Sequence, residues 1–374
     1  MKVLVVAGAR PNYVKAAPLL RALDAAARDD LSHCFVDVGQ HYDDALAGSF
    51  FRTLDLPAAD HSLAIGSGSH ASQTALAMQR FETVLAKERP DVVVVLGDVN
   101  ATLACALVAA KSGIRVAHVE AGLRSFDRSM PEEVNRVVVD ALADDLFTTE
   151  ESANVNLRRE GVAEGNIHFV GNLMVDSLDW MMSRLAPQSP AAITGVALPA
   201  GSRFAIATLH RAANVDEPER LEEILGALAT IATELPVLLP IHPRTRERLA
   251  CVRTPHLVAD SGPSPGRVTL LQPLTYSAFL SLLSAAHLVL TDSGGVQEEA
   301  TCLSVPCVTL RDNTERPVTI AHGTNVLGGT RASTIVAAAR ERMSTAKGSG
   351  ERPPLWDGRA AERIVARLAA ARPR

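Results

Sequence analysis

Residues 91–98 read Asp-Val-Val-Val-Val-Leu-Gly-Asp. Four valines and a leucine in succession show no polar alternation, so a strand built from them is buried on both faces, as in a parallel sheet covered by helices. A segment with helical periodicity follows. The same rhythm of short β-branched run and longer helical stretch recurs along the 374 residues, which is the pattern of βα units. Strand candidates in the first half are Lys2–Ala7, His33–Val38, Asp91–Leu96, Arg115–Val119, Asp145–Thr148 and His168–Val170. In the second half they are Arg203–Thr208, Pro236–Ile241, Val268–Leu271, His287–Leu290 and Pro306–Leu310. The expectation is an α/β chain with two parallel sheets. Pro187–Ser202, rich in Pro, Ala, Gly and Ser, reads as a connection between domains, and a second loose segment, Ala346–Pro354, precedes a final helix.

The length allows two domains, each with its own core. Acids outnumber bases by 42 to 37 and the two are interspersed, so there is no basic stripe and no nucleic-acid partner is expected. An anionic ligand must then be held by local groups. Cys34, Cys105, Cys251, Cys302 and Cys307 are odd in number and scattered without metal-type spacing, which fits a reduced, cytoplasmic protein with no metal site. The first apolar run stops at Arg10, too short for a signal peptide or a membrane span, and no later run reaches membrane length.

Open parallel sheets bind ligands outside the carboxyl ends of their strands, and this ranks the polar residues. After the first strand come Gly8-Ala9-Arg10-Pro11-Asn12 and then Lys15, where two cations can meet a phosphate or carboxylate at a helix N-terminus. Asp98 and Glu120 each stand at the end of an apolar strand. Glu132-Glu133-x-Asn135-Arg136 follows Pro131, and acids in that position equally describe a well-made helix start. Converging carboxylates can supply both an acid and a base. His210-Arg211 ends a strand in the second half, and His242 repeats the arrangement one strand later; Arg136, Arg211 and His242 are candidates for substrate binding. The strongest local signal is Thr291-Asp292-Ser293-Gly294-Gly295-Val296-Gln297-Glu298-Glu299. Here a strand runs into a Ser-Gly-Gly turn that opens a helix, offering backbone N–H groups to a phosphate, with Glu299 placed to accept ribose hydroxyls. Arg311–Pro317 is a further polar loop after a strand. Gly66-Ser67-Gly68-Ser69-His70-Ala71 comes near the dinucleotide pattern but follows a weak strand, so no cofactor is expected.

Taken together, Gly8–Lys15, Gly39-Gln40-His41, Leu96-Gly97-Asp98, His118–Arg124, Pro131–Arg136, Gly171-Asn172, His210-Arg211, Thr291–Ala300 and Arg311–Pro317 resemble the non-hydrolysing UDP-N-acetylglucosamine 2-epimerase family. The resemblance runs in family order over nearly the whole chain. It implies two facing Rossmann-like domains, the glycosyltransferase-B architecture, with a UDP-sugar in the interdomain cleft and usually a homodimer. Residues 1–172 would carry the catalytic carboxylates and 173–357 would bind UDP, with a helix at about 358–374 packing back on the first domain. By motif position, catalytic roles fall on Asp98, Glu120, Glu132 and His210. Nucleotide contacts fall on Arg10, Lys15, Leu274 (by backbone), Phe279, Ser293, Gly294, Gly295, Glu299 and Arg316.

Carbon 2 of a nucleotide-linked sugar has no neighbouring carbonyl, so its proton cannot simply be removed and replaced. Transient oxidation by NAD is one route, and elimination of UDP to a glucal with re-addition is the other. A phosphate cradle and several acids, with no credible dinucleotide fingerprint, favour elimination. The chain departs from the pattern at Asn12, where many bacterial members have Glu, at Asp43, where some have Gln, and at Ser72, where some have Arg. Activation by a second copy of substrate is therefore not expected. A hydrolysing relative, a modified UDP-sugar such as a diacetamido uronic acid, and a glycosyltransferase remain the alternatives.

Overall fold

The computed structural model describes residues 1–26, 30–39, 51–196, 198, 201–259, 264–345, 348 and 350–370. The chain forms two units, Met1–Trp180 together with Pro354–Arg374, and Met181–Pro353. The first contains β1 (Lys2–Ala7), β2 (Ser32–Asp37), β3 (His61–Ser62), β4 (Val92–Leu96), β5 (Arg115–Ala121), β6 (Asp145–Thr148) and β7 (Ile167–Phe169). These pair in the order β3-β2-β1-β4-β5-β6-β7. The second contains β8 (Ala205–Thr208), β9 (Val237–Pro240), β10 (Leu257–Ala259), β11 (Val268–Leu271), β12 (Leu288–Thr291), β13 (Cys307–Thr309) and β14 (Asn325–Leu327). Their order is β10-β11-β9-β8-β12-β13-β14. Every described pairing is parallel. Strand order therefore reverses between β1 and β4 and again between β8 and β12, the points where open sheets receive ligands.

The valine run behaves as its pattern demands: each residue from Val92 to Leu96 is at most 1% exposed. Val93 and Val95 join an apolar cluster with Ala77 and Phe81 of the helix His70–Glu88 and Ala104 and Val108 of the helix Asn100–Lys111. In the second unit Ala205, Ala207, Leu288 and Leu290 pack with Leu221, Leu225 and Leu228 of the helix Pro218–Ile231. Ile206 and Val289 face the other way, towards Leu282, Leu283 and Ala300. The strands β10 and β14 were not among the candidates, and β3 stands where the sequence offered only a weak strand before Gly66. Each is a sheet edge only two or three residues long, too short to display a period of its own. Among the described residues no helix is long and apolar enough to cross a membrane.

The division between units falls inside the helix Leu173–Met182, later than the expected 172/173 boundary. That helix is tied to the first unit: Ser177 Oγ donates to the Val14 carbonyl, and Asp176 caps the C-terminal helix Ala360–Ala370. The Asp176 carboxylate accepts the N–H groups of Ala360 at 3.1 Å and Ala361 at 2.8 Å. Ala360, Ala361, Ile364, Val365 and Leu368 are the buried face of that helix, and the nearby Trp356 Nε1 donates to the Thr149 carbonyl at 2.8 Å.

Burial lifts the Asp176 carboxyl to about 6, against the opposing pull of the two N–H groups and with help from Asp357 and Asp179. The native state then holds this proton more tightly than the unfolded chain, so the group's contribution to stability is full at low pH and is lost as pH rises through about 6. Asp176→Asn, which cannot ionise, should gain about 3 kcal/mol on the parent between roughly pH 4 and pH 7. Urea unfolding of both proteins across that range measures it, and a constant difference would refute the assignment.

Candidate active site

In the first unit the site gathers where β1, β4 and β5 end. Asn12 is buried in the first turn of the helix Arg10–Ala25; its Nδ2 donates to the Leu96 carbonyl at 2.9 Å and its Oδ1 accepts the Gly8 N–H at 3.3 Å. The carboxyl ends of β1 and β4 are thereby pinned together. One turn on, Lys15 forms an ion pair with Glu120, and their side chains are only 9% and 6% exposed. Glu120 occupies a bulge in β5, where the register shifts between Val119 and Ala121, and its φ is +74°. A non-glycine residue in this left-handed region stores strain, and a bulge re-aims the side chain it carries. Gly97 also has positive φ, and a Cβ there would lie 3.3 Å from both Asn12 Nδ2 and Lys15 Nζ. The turn after β4 needs glycine for conformation and for space alike.

Asp98 is held from two sides. Arg136 Nη2 donates to its carboxylate, and Asn135 Nδ2 donates to its backbone carbonyl at 2.8 Å. Structure also separates the two adjacent glutamates that sequence could not. Glu133 is buried and accepts from Ser125 N–H (3.0 Å), Ser125 Oγ (3.0 Å), Phe126 N–H (2.9 Å) and Arg136 Nη1 (2.7 Å), so it clamps the loop before the helix Pro131–Leu142. Glu132 is half-buried, and its carboxylate has no donor among the described residues.

The second unit places His210 and Arg211 after β8 and Asp292 after β12. Asp292, fully buried, accepts the N–H groups of His210 and Arg211, each at 3.0 Å, and Asn214 Nδ2 at 3.2 Å, and pairs with His210 Nδ1 at 2.9 Å. Burial alone would raise this carboxyl, but His210 and the N–H groups outweigh it and hold it below its usual range. An ionised Asp292 fixes the proton on Nδ1 and leaves Nε2 of His210 to act on a ligand. His242 lies beside it, ring centroids 5.5 Å apart, with its Nδ1 accepting the Arg244 N–H at 3.2 Å as the cap of the next helix.

Ser293 is the N-cap of the helix Gly294–Cys302, yet its hydroxyl makes no capping bond. The first N–H groups of that helix therefore have no side-chain cap, the arrangement in which a helix start can receive an anion. A Cβ on Gly294 would come within 3.0 Å of Glu315 Oε1. Glu315 in turn sits between Arg311 Nη1 at 2.8 Å and Arg211 Nη2 at 3.3 Å, and Arg316 Nε donates to Glu298 at 2.5 Å. Three guanidiniums, those of Arg211, Arg311 and Arg316, are thus gathered on Glu315 and Glu298 close to the start of this helix, and guanidiniums are the side chains best suited to a phosphate. Further along the helix Glu299 is buried and accepts the Tyr276 hydroxyl at 2.9 Å. Burial, with Glu298 adjacent, raises its carboxyl to about 8 despite that hydrogen bond. Leu274, Phe279 and Val296 line one apolar cluster next to it.

The Arg10 side chain and the residues Gln40, His41 and Asp43 lie outside the described structure. Gly66–Ala71 proves to be a helix start: Ser69 Oγ accepts the Ser72 N–H and Gln73 Nε2 donates to the Gly66 carbonyl. Asp292, Arg311 and Glu315 had no assigned role in the sequence. The one available signal was that Asp292 directly follows an apolar strand, the same feature that singled out Glu120.

Residues 23–369 match the family model for UDP-N-acetylglucosamine 2-epimerase. The chain belongs to that family. It is 42% identical over 369 residues to UDP-N-acetylglucosamine 2-epimerase of Methanocaldococcus jannaschii, covering 98% of both chains. It is 39% identical over 376 residues to UDP-2,3-diacetamido-2,3-dideoxy-D-glucuronate 2-epimerase of Pseudomonas aeruginosa, covering 99% of both. The crystal structure of the M. jannaschii epimerase in complex with UDP-GlcNAc and UDP matches with a TM-score of 0.87 at 39% identity, over 99% of this chain and 100% of that one. The family relationship extends the fold: two parallel seven-stranded sheets of the glycosyltransferase-B kind.

Burial would raise the Glu315 carboxyl, but Arg316, Arg311 and Arg211 bring it down to about 2. Its stabilisation is therefore present above the unfolded value and lost as pH falls from about 4.5 towards 2. Glu315→Gln should cost about 3 kcal/mol at neutral pH, because it strands buried guanidiniums, and the gap to the parent should close as pH falls. Denaturant unfolding at neutral and acid pH tests both the size and the direction.

Proposed function

We propose that the chain interconverts UDP-N-acetylglucosamine and UDP-N-acetylmannosamine by eliminating UDP and adding it back across a glucal. The observation that carries this reading is the placement of Asp98 and Glu120 at the ends of adjacent strands, each already matched to a cation, Arg136 or Lys15. A carboxylate of the set Asp98, Glu120 and Glu132 takes the proton from carbon 2. The bond from carbon 1 to the diphosphate oxygen breaks, and its electron pair leaves with UDP. The N–H groups after Ser293 and the guanidiniums of Arg211, Arg311 and Arg316 stabilise the charge that accumulates there. A second proton donor then returns a proton to carbon 2 from the opposite face as UDP re-adds. His210, oriented by Asp292, serves as the acid–base group of the second unit. Glu299 receives the ribose hydroxyls, and the Leu274 backbone and Phe279 contact the nucleotide.

The 39% identity to the P. aeruginosa enzyme favours a second reading in which the sugar is a diacetamido uronic acid and the chemistry is unchanged. We further propose a cytoplasmic homodimer: Phe126, Val134 and Val138 are exposed apolar side chains on and just before the helix Pro131–Leu142, a surface that a second copy would cover.

Proton NMR in deuterated water should show deuterium entering carbon 2 as the epimer forms from UDP-N-acetylglucosamine. Epimerisation without exchange would exclude elimination, and irreversible UDP accumulation would identify a hydrolase. Asp98→Asn, Glu120→Gln and Glu132→Gln should each lower kcat at least ~100-fold while UDP binding, followed by calorimetry, stays within a few-fold. Glu299→Ala should instead weaken UDP affinity by roughly tenfold or more, and an unchanged Kd would remove its ribose role.

A further inference from the structure

We propose that His118 is a positioning residue for both strand-end carboxylates, acting through Asp140. The inference rests on the reading that Asp98 and Glu120 act on the sugar. His118 lies on β5 and is completely buried, and Asp140 is 2% exposed, so neither reaches a substrate. The two ring nitrogens face acceptors: Nε2 meets the Gly97 carbonyl at 2.8 Å and Nδ1 meets Asp140 Oδ1 at 2.6 Å. A carbonyl can only accept, so Nε2 carries a proton. Burial raises the Asp140 carboxyl, but His118 and Arg124 outweigh it and hold it below its usual range. An ionised Asp140 also only accepts, so the ring satisfies both contacts when it carries both protons.

Asp140 spends its other oxygen on the Gly122 N–H at 3.0 Å and on Arg124 Nη1 at 2.7 Å, and Arg124 Nε donates to Glu160 at 2.8 Å. One buried charge group therefore grips the peptide immediately before Asp98 and the peptide two residues after Glu120. These are also the left-handed stretches of the two turns, with φ of +64° at Gly97, +74° at Glu120 and +78° at Gly122. Strained backbone persists only where its surroundings over-determine it, and the hydrogen-bonded pair reaches both turns, His118 at Gly97 and Asp140 at Gly122. His118 thus sets the spacing of the acid and base without touching the reacting atoms.

The test compares His118→Ala with the double variant His118→Gln/Asp140→Asn, which can rebuild both hydrogen bonds without charge. His118→Ala should lower kcat about 30-fold or more while KM and the UDP Kd stay within about threefold. Amide exchange should accelerate at residues 97–98 and 120–122 and stay unchanged in the second unit. The double variant should recover at least about tenfold in kcat and the lost protection. A kcat within about threefold of the parent in His118→Ala, or a UDP Kd that weakens in step with kcat, overturns the proposal. If His118→Ala does not fold, the double variant decides alone: parental protection at Gly122 supports the role and faster exchange refutes it. If the parent turns over no UDP-sugar, the functional reading fails separately. The exchange readout still judges His118, since unchanged protection in His118→Ala would overturn the link and faster exchange would support it.

Discussion

The carboxyl ends of both sheets are organised by a reversal of strand order, between β1 and β4 in one sheet and between β8 and β12 in the other. In a parallel sheet all strands deliver their following loops to the same edge. Where the order reverses, the chain leaves adjacent strands in opposite directions, and no crossover covers the gap. Asn12 and Gly97 stand at the first reversal, and His210 and Asp292 at the second. Each reversal is sealed by a polar bridge between neighbouring strand ends, Asn12 to the Leu96 carbonyl in one unit and Asp292 to the His210 N–H in the other. An amide and a carboxylate thus perform the same structural task at equivalent places.

The second theme is the treatment of buried charge. The molecule is acidic overall, yet three arginines, Arg211, Arg311 and Arg316, are brought onto Glu298 and Glu315 near the start of one helix. Asp292 and Asp140 each collect several donors, so desolvation is offset by hydrogen bonds to the charged form and both stay ionised. Glu299, with a single hydroxyl donor and a carboxylate for a neighbour, goes the other way and gains proton affinity. Asp176, whose two donors are neutral N–H groups, is likewise raised, whereas Glu315 with its guanidiniums is lowered, so the charge of the donors matters as well as their number.

Much of the architecture was legible along the chain. The unbroken Val92–Leu96 run predicts a doubly covered parallel strand, and the Ser-Gly-Gly turn at residues 293–295 predicts a helix opening onto an anion; both are local patterns set by neighbouring residues. Asp98, Glu120 and His210 were singled out because each stands at or just past the end of an apolar strand, and Glu299 because it lies one to two turns into the helix that the Ser-Gly-Gly turn opens. Edge strands such as Leu257–Ala259 were not, because three residues carry no period and their pairing comes entirely from the neighbouring strand.

What the sequence by itself determined is the alternation of strand and helix, the side of the sheet on which polar residues emerge, and the family. Tertiary structure alone decided which of two adjacent glutamates is a loop clamp, since Glu133 and Glu132 differ only in the direction they leave a helix. It also decided that Asp292 pairs with His210 82 residues away, that Glu315 meets Arg211 104 residues away, and that His118 and Asp140 together reach two turns 25 residues apart. Charge partners separated this far leave no periodic trace, because the electrostatic energy that selects them depends on distance in space and on burial, and neither is a property of position along the chain.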